Sequence, residues 1–77
     1  MHPLLLRALV RLDLSCSWHT PEQLLEPTAR LDRLVSMGLA FKRSGDGNGI
    51  KASYSPTPKG TAVVAALPSG VRLPPGP

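Results

Sequence analysis

A chain of 77 residues is long enough for one domain, and a domain this small buries only about 60% of the surface its unfolded form exposes. Its 42% hydrophobic and 18% charged residues exclude a wholly disordered chain. The single cysteine, Cys16, excludes an internal disulfide or a cysteine-built metal framework, and a net charge of +4 favours an anionic partner.

In the N-terminal stretch, Leu5, Leu9 and Leu12 fall at i, i+4 and i+7, while Arg7 and Arg11 share another face four residues apart. This predicts an amphipathic helix over about Pro3 to Leu12. The two arginines stop the apolar run well short of the ~18 residues a membrane span needs. There is neither a basic leader before it nor a small-residue cleavage site after it. With one unpaired cysteine, the expectation is a soluble cytoplasmic protein. Leu14-Ser15-Cys16-Ser17-Trp18 alternates apolar and small polar residues, which predicts a short strand or extended link with Trp18 pointing inward.

Thr20-Pro21-Glu22-Gln23 carries an N-cap threonine, a proline at the first helical position and a glutamine placed to complete a capping box. The second helix starts there and ends by Leu25 or Glu26, because Pro27 is not tolerated in a helix interior; Leu24 and Leu25 are its expected core residues. A third helix restarts near Pro27 or Thr28. Leu31, Leu34 and Val35 form its apolar stripe, Arg30, Arg33 and Met37 lie on another face, and Gly38 is placed to end it in a left-handed conformation.

From Leu39 the period changes to two. Leu39, Phe41, Ile50 and Tyr54 are the expected inner face of a β-hairpin, Lys42 and Lys51 its outer face, and Gly45 to Gly49 its turn. Thr57-Pro58 starts a last helix carrying Val63, Val64 and Leu67. Residues 68–77 hold four prolines and two glycines, a composition that cannot pack a core. The expected division is a folded domain over 1–67 and a disordered tail over 68–77.

The order helix, short strand, helix, helix, hairpin, helix is that of a winged helix, an α+β fold with a three-helix helix-turn-helix core and a hairpin wing. Residues from Thr28 to Leu67 resemble the C-terminal half of regulators of the multiple-antibiotic-resistance and PadR-like type. Those families carry L-x-x-L-x-x-x-G-L-x-x-R, a Gly-rich wing, then Y-x-x-T-x-x-G. Here the matching residues are Leu31, Leu34, Gly38-Leu39 with Lys42-Arg43, then Gly45 to Gly49, then Tyr54, Thr57 and Gly60. The connection from the second to the third helix is shorter than the family's, and the family's long dimerisation helices have no counterpart, which leaves a monomer or a weak homodimer.

The resemblance implies a small transcriptional regulator that binds double-stranded DNA. The third helix would approach the major groove with Thr28, Ala29, Arg30 and Arg33, and Lys42, Arg43 and Lys51 would reach phosphates. Residues 28–60 hold six of the nine basic residues against only Asp32 and Asp46, so the basic excess sits on these elements. The alternative is a winged-helix protein-interaction module, virus-encoded or accessory, that docks on a host protein complex.

Enzyme activity has little support. Cys16 and His19 supply two ligands where a zinc site needs three or four, and the Gly-rich turn lacks the lysine and hydroxyl residue of a phosphate-cradling loop. No cofactor or metal is expected.

Overall fold

The computed structural model describes residues 2–15, 17–45, 51–68 and 72–74. These form a small α+β domain of four helices and one antiparallel hairpin: α1 (Pro3–Ser15), α2 (Pro21–Leu24), α3 (Thr28–Ser36), β1 (Ala40–Arg43), β2 (Ser53–Pro56) and α4 (Pro58–Ala65). No helix among the described residues is long and apolar enough to cross a membrane.

The first helix buries Ala8, Leu9 and Leu12 against α3, β2 and α4. His2 Nδ1 accepts the Leu4 N–H at 3.1 Å, so an imidazole caps its first turn. The helix runs on to Ser15, past the expected end at Leu12 and into Leu14-Ser15, where a short strand or extended link was expected. No proline or glycine stands in that stretch to stop it, and extending a formed helix is easier than starting a strand over five residues. Thr61 Oγ1 donates to Asp13 Oδ1 at 2.8 Å, tying the added turn to α4. The extended segment shrinks to a bridge in which His19 and Tyr54 exchange two backbone hydrogen bonds of 3.0 and 2.8 Å. Trp18, expected inside, is exposed; Cys16 lies outside the described residues.

Thr20 and Gln23 form the expected capping box: Gln23 N–H donates to Thr20 Oγ1 and Thr20 N–H to Gln23 Oε1. The helix they open has four residues and ends in a left-handed residue, Leu25, at φ 57° and ψ 38°. Leu24 is buried, but Leu25 is 58% exposed, a correction to its expected core role. The left-handed kink turns Leu25 outward and Glu26 inward.

Leu31 and Leu34 are fully buried on α3, as their spacing predicts. At its end Gly38 N–H bonds to Val35 O and Leu39 N–H to Leu34 O, with Gly38 at φ 76°. That pair of bonds is a Schellman motif, with the expected glycine in the left-handed position.

In the hairpin Ala40 pairs with Pro56, Phe41 with Ser55, Lys42 with Tyr54 and Arg43 with Ser53. Tyr54 is fully buried, so Ala40 and Lys42 share its side of the sheet while Phe41 and Arg43 face away from the core. The expected faces of β1 are therefore exchanged. Leu39 is buried, but its N–H is spent on the Schellman motif and it stands outside the ladder; alternation starts one residue later, and a shift of one flips every side chain. Ile50 and most of the glycine turn lie outside the described residues.

Thr57 joins the two halves of the core. Its N–H donates to Leu39 O and its hydroxyl to Gly38 O at 2.8 Å, while the same hydroxyl accepts the Gly60 N–H and caps α4. Gly60 is buried where a Cβ would run into the Leu39 carbonyl oxygen. The last helix ends at Ala65, two residues before the expected Leu67. Of the tail, residues 68 and 72–74 are described, and the Pro74 carbonyl accepts a 3.3 Å hydrogen bond from Arg7 Nη1.

Candidate nucleic-acid interface

Burying Leu31 and Leu34 on one side of α3 turns the opposite side outward, and Thr28, Ala29, Arg33 and Ser36 are exposed there. Arg33 has no carboxylate within ion-pair distance among the described residues, and Ala29 and Ser36, a turn to either side of it on this face, are small. Ser36 Oγ donates to the Arg33 carbonyl at 2.8 Å, inside the same turn.

Arg30, expected beside Arg33, is drawn off this face. Its Nη1 lies 2.7 Å from Glu26 Oε2, four residues back. Glu26 is the centre of a cluster that sequence reasoning missed. Its side chain has 0% exposure and receives Arg7 Nε at 2.9 Å, Arg7 Nη2 at 3.2 Å and Arg11 Nη1 at 3.4 Å as well. Arg11 also donates to the Leu25 carbonyl at 3.0 Å. Burial pushes the Glu26 carboxyl up, but hydrogen bonds from Arg7 and Arg30 and the charges of Arg7 and Arg11 outweigh it, leaving its pKa below the ordinary 4.5. The hydrogen bond to Glu26 in turn raises the pKa of Arg7. One carboxylate thereby joins α1, the α2–α3 turn and the first turn of α3. The signal available beforehand was the Arg7/Arg11 pair at i, i+4 together with an acid directly ahead of Pro27 and four before Arg30.

The hairpin lysines are both held by acids of the helical half. Lys51 Nζ meets Glu22 Oε1 of α2 at 2.9 Å, and Lys42 Nζ meets Asp32 Oδ1 of α3 at 3.0 Å. Asp32 also accepts the Tyr54 hydroxyl at 2.6 Å. That bond first, and Lys42 second, hold the Asp32 carboxyl below its ordinary 3.8, while burial and then the bond to Asp32 raise the Tyr54 phenol above 10.0. The pairs of Lys42 and Lys51 are solvent-exposed, so each is weak and readily exchanged for another anion.

Arg43 takes a third course. Its guanidinium lies 4.6 Å from the ring centroid of Trp18, which was expected inside. Of the expected interface, Thr28, Ala29 and Arg33 share one exposed helix face, Arg30 is turned to Glu26, Lys42 and Lys51 brace the hairpin on the helices, and Arg43 lies on the outer face of the sheet. Among the described residues no group of His, Cys, Asp or Glu could hold a metal ion. No protein family, curated protein or solved structure matches the chain.

Proposed function

We propose that the chain is a winged-helix domain that binds double-stranded DNA, with α3 in the major groove and the hairpin as the wing. The observation that carries this reading is the exposed face of α3, where Arg33 projects between the small Ala29 and Ser36 with no acid partner among the described residues. Arginine reads guanine bidentately through O6 and N7, and neighbouring small residues let the helix approach the base edges. A helix of nine residues is about 13 Å long, enough for one turn or two to enter the groove. Lys42 and Lys51 exchange Asp32 and Glu22 for phosphates, and Arg30 serves by locking the start of α3 through Glu26.

The test is selection from random duplexes followed by binding titrations at several salt concentrations. Arg33→Ala is expected to cost about 1 to 3 kcal/mol and to relax preference at one base position. Lys51→Ala is expected to weaken all sequences alike and to lower the salt slope by about one. Absence of duplex binding by the folded chain at low salt overturns the proposal.

A further inference from the structure

Two of the three aromatic residues in the chain lie outside the core, on one face. The His19–Tyr54 bridge sets residues 18–20 beside β2 on the edge opposite β1. Alternation then puts Trp18, Ser53, Ser55, Phe41 and Arg43 on the side of this sheet that faces away from buried Tyr54. Trp18 is 39% and Phe41 52% exposed, with the small Ser55 between their strands. Two strand spacings separate them, about 10 Å between backbones. Among the described residues neither serine hydroxyl has a hydrogen-bond partner. Arg43 stacks on Trp18 with no carboxylate in ion-pair range among the described residues, and the described residues of these three segments hold Lys42, Arg43 and Lys51 but no acid.

We propose that this face binds single-stranded nucleic acid, with unpaired bases stacking on Trp18 and Phe41 and Arg43 meeting the phosphodiester. The occupant has to present flat apolar surfaces to the rings, negative charge to the arginine and hydrogen-bonding edges to the serine strip. An unpaired nucleotide supplies all three, and aromatic platforms beside cations bind single strands without regard to sequence. An apolar protein surface would seal the two hydroxyls and the guanidinium away from water without partners, which is unfavourable. Duplex DNA hides its base faces in the stack and satisfies only the charge. This site lies on the sheet, apart from the exposed face of α3, and stands independently of the duplex-binding reading.

Trp18 is the sole tryptophan, so its fluorescence reports this face directly. Titrating the full chain with a thymidine dodecamer is expected to quench it saturably. Phe41→Leu, which keeps bulk and apolarity but removes the ring, is expected to weaken binding about tenfold or more, and Phe41→Tyr to leave it within about twofold. An abasic dodecamer of the same charge is expected to bind about tenfold more weakly and without quenching. Both residues are exposed, so the variants keep the parent far-UV circular dichroism, which is checked first. Arg33→Ala is expected to leave dodecamer binding unchanged, which separates this site from α3. Equal affinity for the abasic strand, full affinity in Phe41→Leu, or no quenching by the dodecamer overturns the proposal, and the last of these points to a protein partner.

Discussion

Replacing Glu26 by glutamine removes one charge and almost no volume, and so isolates what the buried carboxylate contributes. The amide offers one oxygen where three guanidiniums now share two, and its NH2 group faces arginine donors. Breaking a buried ion pair from one side costs about 3 to 5 kcal/mol because the remaining charge is left without compensation. Here Arg11 and Arg30 keep 27% and 20% of their side-chain surface in water and can turn outward, whereas Arg7 at 6% cannot. The expected loss therefore sits at the low end, about 3 kcal/mol, or roughly 12 to 24 °C in Tm for a domain of this size. Urea and thermal unfolding followed by circular dichroism measure it. A loss under about 0.5 kcal/mol, the range of ordinary surface substitutions, would refute the argument that Glu26 organises the helical half.

The same carboxylate sets an acid limb. Its folded pKa lies below the unfolded value near 4.5, so its stabilisation is complete above that pH and is lost as pH falls through the folded value; urea midpoints from pH 7 to pH 2 should fall in the parent and fall less in Glu26→Gln. Gly60→Ala should destabilise by about 1 to 3 kcal/mol although alanine favours helices, because the new methyl meets the Leu39 carbonyl and Leu9; a raised Tm would refute that close approach. Leu25→Gly should be neutral or stabilising by up to about 1 kcal/mol, since its left-handed backbone suits glycine and its side chain is exposed; a clear fall in Tm would show that Leu25 packs.

The legible parts were those governed by local rules. Thr20 with Gln23, Thr57 with Pro58, and Gly38 each mark a helix boundary through backbone groups a few residues away, and each stands where its local chemistry puts it. What went astray depended on distant partners. Arg7 and Arg11 have the spacing of a solvated pair, and only the left-handed turn at Leu25 brings Glu26 under them. Phe41 and Lys42 exchanged faces because the turn after α3 consumes Leu39, a matter of one residue that periodicity cannot resolve. Trp18 was placed inward by the alternation of Leu14 to Trp18, yet α1 takes up Leu14 and Ser15, and Tyr54, Leu9, Leu12, Leu31 and Leu34 already fill the interior.

Tyr54 is buried on Asp32, Thr57 joins Gly38 and Leu39 to the start of α4, and Gly60 admits the Leu39 backbone, so the three residues of the Y-x-x-T-x-x-G run all close the hairpin onto the helices. Leu31, Leu34 and Gly38 likewise make the buried face and the end of α3. Such a pattern argues for a fold and is silent on a ligand, because any domain that packs α3, a hairpin and α4 in this way needs it. The positions proposed for recognition are Arg33 on α3 and Trp18 and Phe41 on the sheet, which the pattern leaves free, and Arg43, which it includes and which is exposed. Each exposes a chemistry the core does not require, and substituting them is expected to leave the core intact, so a change in binding there would read recognition apart from stability.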